Sequence, residues 1–133
     1  MVKVIEDIKL TYNDVLIVPR PNQFSSRKDI EVEVEYSFAH STKVFKGVPI
    51  MSANMATCGT FEIAHALSQY NIITTFHKYY SVDNFKEFFK TFDKSHTICY
   101  TLGSRKQDVE QLEDMIQQNL IDNFDFIYTK EEV

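Results

Sequence analysis

The sequence predicts an α/β fold in which parallel strands alternate with helices. From Val48 onwards, short apolar runs alternate with segments whose apolar residues recur every three or four positions. These runs begin about 25 residues apart, which is the length of a βαβ unit. With 133 residues, 44% of them hydrophobic, the chain can build one domain-sized core. Periodicity leaves two architectures open, a (β/α)₈ barrel and a doubly wound sheet.

Composition and charge exclude several classes of protein. A net charge of −5 argues against nucleic acid or an anionic membrane as the main partner. No apolar run is long enough to span a membrane, and Met1–Asp7 is too charged for a signal peptide, so we expect a cytoplasmic protein. Cys58 and Cys99 form no CxxC pattern, so they are expected to be reduced thiols rather than a disulfide or metal ligands.

Residues 1–28 are predicted to form an extended N-terminal arm. They contain Pro19 and Pro21 and show no long hydrophobic period. Proline cannot donate to a strand ladder, so the extended segment should break at Pro19. Its apolar side chains are expected to pack on a neighbouring surface, and they are Leu10, Tyr12, Val15, Leu16 and Ile17.

Residues 29–46 are predicted to form a β-hairpin. From Asp29 to Phe38 apolar and polar residues strictly alternate, which indicates a strand with one wet, acidic face. A turn at residues 39–42 would bring Lys43–Phe45 back as its partner. The acidic face is most simply a solvated surface, with a cation site as the alternative. Such a hairpin would suit a barrel as a plug over its bottom.

Residues 47–133 are predicted to hold the first β/α units. We expect a buried strand at Val48–Met51 and further strands at Ile72–Phe76, Thr97–Thr101 and Phe124–Tyr128. Helices should start at Thr60, at the capping residue Ser81 and at about Lys106. Each helix has one apolar face to bury. In the first helix it is Phe61, Ala64 and Leu67, flanked by Ile63 and Tyr70; in the second it is Val82, Phe85, Phe88, Phe89 and Phe92. In the third it is Val109, Leu112, Met115 or Ile116, and Leu120.

Polar residues follow the first two parallel strands, at the strand end where α/β folds bind ligands. Ser52–Met55 follows the first strand, and His77 and Lys78 follow the second. A lysine ammonium there suits a phosphate or a polarised amide, while the simpler alternative is a solvated lysine beside a packed histidine. Gly103 and Ser104, after the third strand, could offer backbone N–H groups to an anion. With three glycines in the chain, no Rossmann or P-loop motif can be written.

Several stretches together resemble the GMP reductases, the NADPH-dependent relatives of IMP dehydrogenase. They are VPIMSANMATCGTF at 48–61 and FHKYYS at 76–81, supported by LTYNDVLIVP at 10–19 and SSR at 25–27. The likeness extends to about Phe126 and covers less than half of a complete GMP reductase. It implies that this chain is the N-terminal part of a TIM barrel, about three and a half β/α units.

The resemblance also implies an activity. GMP reductases convert GMP to IMP and ammonia by NADPH-dependent reductive deamination, with a potassium ion possible in the complete enzyme and tetramers as the usual assembly. Their nucleophile is a cysteine on a mobile loop after a later strand, which adds to C2 of the purine. Neither Cys58 nor Cys99 matches that position, so no catalytic residue is assigned here. We expect the loop beyond the chain end and the chain alone to be inactive.

Five residues match positions that the family uses for binding. Lys78 matches the lysine that contacts NADPH, and Ser26 and Arg27 match an arm site that contacts NADPH from a neighbouring subunit. Arginine suits the 2′-phosphate of NADPH, although residues 27–29 also look like a routine surface charge run. Asn54 and Met55 match the loop that approaches the purine nucleotide; alternatively, they only fill the rim.

The sequence departs from the family pattern at two places. Ala56 stands where relatives usually carry Asp, and Thr129–Glu132 stands where an Asp-Val-Ala-Asn turn is expected. Residues 1–133 are therefore expected to be a single incomplete domain with two open sheet edges. It would be a fragment, a truncated gene product, or one piece of a split enzyme that a C-terminal fragment completes. The alternatives are a non-catalytic fragment that binds or modulates full-length subunits, or an IMP dehydrogenase-like fragment.

Overall fold

The computed structural model of the chain describes Ile8 and residues 10–39 and 42–129. These residues divide into two units, which lie within Met1–Ile30 and Glu31–Val133. Each unit is described by itself below.

The first unit is extended backbone interrupted by two short 3₁₀ turns, Tyr12–Asp14 and Arg27–Asp29. Each turn is closed by a carboxylate, since Asp14 accepts the backbone N–H of Thr11 at 2.8 Å and Asp29 accepts that of Ser26 at 3.0 Å. The Thr11 backbone N–H and then its hydroxyl lower the pKa of Asp14. All described residues of this unit are exposed. The packing of the arm on a neighbouring surface therefore stays a prediction.

The second unit is built on a five-stranded sheet whose strand order follows the chain. The first pair is antiparallel and the later pairs are parallel. The strands are Val34–Ser37 (β1), Val44–Met51 (β2), Ile72–Thr75 (β3), Ile98–Leu102 (β4) and Phe126–Thr129 (β5). The predicted parallel strands are thus confirmed to within a few residues at their ends.

Helices connect the parallel strands at the predicted places. They are Phe61–Ser68 (α1), Val82–Phe88 (α2) and Lys106–Gln117 (α3). The hydroxyls of Thr60 and Ser81 accept the N–H groups of Ile63 and Asn84, both at 3.3 Å. This confirms Ser81 as an N-cap and shows that Thr60, the predicted helix start, is the N-cap of α1. Within the described residues, no helix is long and apolar enough to cross a membrane.

One face of the sheet is packed against all three helices. Ala64 of α1, Phe85 and Phe88 of α2 and Met115 of α3 belong to a single buried cluster, together with Phe76, Phe92, Ile98, Tyr100 and Phe124. In α3 the buried residue is Met115, whereas Ile116 is 52% exposed. Val109 was also expected on the buried face of α3, but it lies at the margin of that face and is exposed. Tyr70, which was expected to flank the face of α1, lies beyond the end of that helix and is exposed.

The opposite face of the sheet is only partly covered. Phe45, Ile73 and Cys99 are buried there, packed by Phe38 and Phe126. Two apolar grooves of about 290 and 630 Å³ run over this face, and both are lined by Tyr36, Phe38 and Met51. Val48–Met51 was predicted to be buried, and this is wrong for its last three residues, which are exposed.

The predicted hairpin and the predicted first barrel strand share one strand. Residues 44–47 of β2 pair with β1, and the ladder to β3 takes over at Val48. β1 is also shorter than the alternating stretch at 29–38, and residues 27–29 form a 3₁₀ turn instead. Alternation marks which side chains share a face, but the ladder length depends on the partner strand. His40 and Ser41 of the expected turn lie outside the described residues.

The winding of the sheet can be compared with the two architectures that periodicity left open. A doubly wound sheet carries helices on both faces, whereas the units of a barrel place every helix on the outside. In this chain the three helices share one face and the strands follow one another in order. The arrangement is compatible with part of a (β/α)₈ barrel, and the described strands form an open sheet.

Gly59 joins the loop after β2 to the end of β3. Its N–H donates to the carbonyl of Met55 at 2.7 Å, and its own carbonyl accepts the N–H of His77 at 3.1 Å. A Cβ added at this position would lie 2.3 Å from the carbonyl oxygen of Thr75 and 2.8 Å from the backbone nitrogen of His77. Only glycine allows these two backbone segments to approach so closely.

Gly59→Ala is therefore expected to lower the free energy of unfolding by about 1–3 kcal/mol, because both clashing groups are backbone atoms that cannot rotate away. The measurement is urea denaturation followed by far-UV circular dichroism. Ala53→Ser, at an exposed position of the same loop, is the control and should stay within about 0.5 kcal/mol of the parent. Equal stability of Gly59→Ala and the parent would contradict the close approach.

Candidate functional site

A polar cleft of about 410 Å³ lies at the carboxyl ends of the parallel strands. Residues from the loops after β2, β3 and β4 and from β5 line this cleft. This is the edge at which parallel α/β sheets bind ligands. The lining residues are Asn54, Lys78, Tyr79, Thr101, Leu102, Gly103, Ser104, Arg105 and Tyr128.

Asn54 reaches the cleft because the end of β2 is irregular and firmly anchored. Between Val48 and Met51 the register shifts, so that three steps along β2 match one step along β3. Bulges of this kind redirect a strand and are common beside functional sites. Ser52 then fixes the loop, since its N–H donates to Ile73 O at 3.0 Å and its hydroxyl accepts the N–H of Thr75 at 3.1 Å.

Lys78 lines the same cleft from the loop after β3. Its Nζ lies 3.6 Å from Oδ2 of Asp108, with the lysine side chain 30% exposed and the aspartate 18% exposed. Oδ2 of Asp108 also accepts the backbone N–H of Arg105 at 3.2 Å, at the start of α3. Because the long ion pair leaves ammonium N–H groups unused, Lys78 can still donate to a ligand oxygen.

Asp108 is a functional candidate that the sequence analysis missed. Near the start of α3, the sequence pattern pointed to Gly103 and Ser104 as anion donors and to Val109 as a buried residue. The available signal was an acidic residue in the first helical turn, three positions after Arg105, where a carboxylate satisfies free backbone N–H groups. Its contact with Lys78 joins positions 30 residues apart and depends on the adjacency of β3 and β4.

His77 shapes the loop that carries Lys78. The ring is buried and stacks on Tyr80 with centroids 4.1 Å apart, and its Nδ1 accepts the N–H of Tyr79 at 3.2 Å. Burial lowers the pKa of His77 below its ordinary value, and a hydrogen bond that the ring makes to its own backbone opposes this shift. The ring is therefore neutral near pH 7, in line with the packed histidine that the sequence analysis offered as the simpler alternative.

Tyr80 anchors the far end of this loop. Its hydroxyl accepts the N–H of Phe61 at 3.2 Å, and its ring stacks on that of Phe61 at 3.8 Å. Its carbonyl accepts the side-chain amide of Gln111 at 2.9 Å. The loop is thus tied to α1 at one side and α3 at the other, so Lys78 is presented from a braced segment.

The other predicted binding residues are placed differently. Met55 follows Asn54, is 59% exposed and is not among the residues that line the cleft. Ser26 and Arg27 belong to the first unit. There the Ser26 hydroxyl accepts the N–H of Lys28 at 3.2 Å and caps the second 3₁₀ turn. Their contact with a cofactor stays a prediction.

The two cysteines differ in environment. Cys99 is buried in β4, and burial raises its pKa to about 12, so it is not a thiolate at neutral pH. Cys58 is partly exposed, and its sulfur lies 3.6 Å from the hydroxyl of Thr57. A buried thiol of high pKa cannot act as a nucleophile, so Cys99 contributes packing.

Comparison with known proteins identifies relatives. Residues 9–119 match the family described as IMP dehydrogenase / GMP reductase domain. A GMP reductase of Citrobacter koseri is 40% identical over 121 residues, which are 90% of this chain and 35% of that protein. GMP reductases of Salmonella typhi and Shigella boydii serotype 18 are 40% and 38% identical over the same shares. The chain therefore spans about a third of the length of the curated relatives it matches.

The lowered pKa of His77 predicts how stability depends on pH. As pH falls below the ordinary value of 6.5, the unfolded chain takes up the ring proton before the folded chain does. The contribution of this ring to stability is thus complete above that pH and is lost as the pH falls below it. His77→Asn keeps an acceptor for Tyr79 but does not titrate, so its unfolding free energy should fall less steeply towards pH 5. Parallel curves for variant and parent below pH 6.5 would exclude this role.

The two cysteines should differ in their accessibility to a thiol reagent. We expect one equivalent of a disulfide reagent such as DTNB to react with the native chain at pH 7.5, and the second to react only in denaturant, because burial and a high pKa protect Cys99. The Cys58→Ser variant should then show no fast reaction. Two equally fast thiols in the native parent would be incompatible with a buried Cys99.

Proposed function

The chain belongs to the IMP dehydrogenase/GMP reductase family, and from this premise we propose that it contributes the opening part of a GMP reductase. The activity is NADPH-dependent conversion of GMP to IMP and ammonia, in which hydrogen replaces the 2-amino group of the purine. The observation that supports it is the cleft shared by Asn54 and Lys78 at the carboxyl ends of the parallel strands. These two positions come from separate loops, and the family assigns one to nucleotide and one to cofactor.

The cleft is chemically suited to part of an NADPH molecule. Lys78 and Arg105 supply two positive charges against the single carboxylate of Asp108, so an anionic or polarised oxygen is favoured there. NADPH, when bound, supplies the hydride. The share of this chain is to bind and orient: Lys78 would donate to a cofactor oxygen, and the amide of Asn54 would donate and accept hydrogen bonds at the purine. Met55, next to it, would pack its thioether on the purine ring.

Other parts of the proposal rest on the family alone. Ser26 and Arg27 would contact NADPH of a neighbouring subunit in a tetramer, and a potassium ion would act in the complete enzyme. The nucleophilic cysteine would come from a further segment, because Cys99 is buried with a high pKa and Cys58 does not match the family position. We also keep the cytoplasm as the proposed location.

A second candidate function is binding to other polypeptides without catalysis. The apolar face that carries the two grooves has exposed Ile50, Met51 and Ile127. The β1 ladder ends at Gly47, so residues 48–51 present an outer strand edge within the described chain, as β5 does at the other side. Unpaired edges beside apolar surface favour association. In this version the chain would bind full-length reductase subunits and alter their assembly.

An IMP dehydrogenase-like fragment is the remaining enzymatic alternative. The family described for residues 9–119 includes both activities. The three relatives named above carry the name GMP reductase at 38–40% identity, which favours the reductase. Assays with IMP and NAD⁺ beside GMP and NADPH would separate the two reactions.

Reconstitution tests the proposal. The chain is co-refolded with the part of the Citrobacter koseri GMP reductase that follows the matched stretch, and GMP-dependent loss of NADPH absorbance is measured. We expect activity from the mixture and none from either part. In that mixture Lys78→Ala should raise the KM for NADPH roughly tenfold, with a smaller effect on that for GMP, because one charge-assisted hydrogen bond is lost.

Lys86→Ala, at an exposed lysine of α2 paired with Asp83, is the matched control and should leave both KM values unchanged. Stable association without activity, combined with a lower rate of intact reductase on mixing, would favour the binding function instead. Equal effects of Lys78→Ala on both substrates would contradict its cofactor role.

A further inference from the structure

We propose that the hydroxyl of Thr101 contacts the ligand of the cleft and donates a hydrogen bond to the same oxygen-bearing group that Lys78 attracts. The identity of that ligand as NADPH rests on the proposed function. The assignment of Thr101 comes from its own surroundings, and neither the family match nor the motifs at Asn54 and Lys78 point to this residue.

The first observation is an unsatisfied hydroxyl. Thr101 is 5% exposed, and its Oγ1 has no hydrogen-bond partner among the described residues. Buried polar side-chain atoms are paired in the large majority of cases, because an unpaired group loses its hydration without compensation. An exception beside a cleft is explained when the missing partner is a ligand.

The second observation is the position of this hydroxyl in the sheet. Two other threonines, Thr74 and Thr75, also have unpaired Oγ1 atoms within the described chain. Thr74 pairs in the ladder with Ile98, which belongs to the cluster under the helices. Thr75 pairs with Cys99 in the middle of the open face. Of the three, Thr101 is the one that lines the cleft, beside its ladder partner Tyr128.

The ligand can reach the hydroxyl without a movement of the backbone. Oγ1 of Thr101 is closed to solvent in this structure, so contact with a ligand requires a rotation about χ1. Such a rotation moves the hydroxyl to another of the three staggered positions on Cβ, while the methyl group and the hydrogen take the other two. A ligand oxygen in the cleft supplies the hydrogen-bond energy that selects the rotamer in which the hydroxyl faces it.

The charges of the cleft define which group Thr101 would meet. Lys78 and Arg105 line it, and Asp108 lies 3.6 Å from the ammonium of Lys78. An acceptor oxygen with negative or partial negative charge fits beside two cations and a hydroxyl donor. In NADPH such an oxygen is found on the phosphates and on the nicotinamide carboxamide.

The test compares two isosteric substitutions, Thr101→Val and Thr74→Val. Each removes an unpaired buried hydroxyl, so neither should lower stability, and both are first checked by urea denaturation. Binding of NADPH to the full chain is then followed by its fluorescence. We expect Thr101→Val to weaken binding about three- to tenfold, as the loss of one hydrogen bond does, and Thr74→Val to leave it unchanged. A second titration uses 2′-phospho-ADP-ribose, which lacks nicotinamide.

If Thr101→Val loses affinity equally for both probes, the hydroxyl contacts a phosphate. If it loses affinity for NADPH alone, the hydroxyl contacts the carboxamide. Either result supports the inference. Unchanged affinity in Thr101→Val overturns it, as does the same loss in Thr74→Val or a parent chain that binds neither probe. The reconstituted assay judges the proposed function separately, because GMP-dependent NADPH oxidation can persist when Thr101 makes no contact.

Discussion

The stacked contact between Phe61 and Tyr80 is the interaction on which the arrangement of the site depends. It brings the first turn of α1 against the loop after β3, with ring centroids 3.8 Å apart, and the hydroxyl of Tyr80 takes up the free N–H of Phe61. Phe61 also stacks on Phe88 at 4.4 Å and so connects the loop to α2. Aromatic contacts of this kind stabilise beyond the area they bury. The loop that presents Lys78 is therefore part of the core, although it lies at the rim of the cleft.

The two faces of the sheet differ in how completely they are covered. On the helix side, aromatic rings of α2 and of the strands interlock, and Phe76 and Met115 are fully buried. On the other face few side chains pack against the sheet, and apolar side chains of β2 and β5 remain exposed. Loops at a strand end can hold a precise geometry when one face is well packed. The rigid side thus positions Asn54 and Lys78, while the open side leaves surface for association.

Much of the candidate site could be predicted from the sequence, because the patterns that place its residues span only a few positions of the chain. Asn54 and Lys78 each follow a strand whose position the apolar pattern predicts, and parallel strands end at the same edge. The register shift in β2 has one local mark, Pro49, which cannot donate to a strand ladder, but its extent depends on how Ser52 bonds to β3. Asp108 and Thr101 were missed for the same reason. An acidic residue in a first helical turn and a threonine in a strand are both common, and they gain meaning only through their neighbours.

The sequence by itself determined the α/β class, the order of strands and helices, the helix start near Thr60, the cap at Ser81 and the apolar stripe of α2. These features depend on hydrogen bonds and periodicities within a few residues. Tertiary structure alone decided that all helices share one face, that Val44–Met51 is a single strand serving two partners, and that Met115 rather than Ile116 is buried. It also decided which polar groups share the cleft. Each of these outcomes rests on contacts between residues far apart in the chain, which no local pattern encodes.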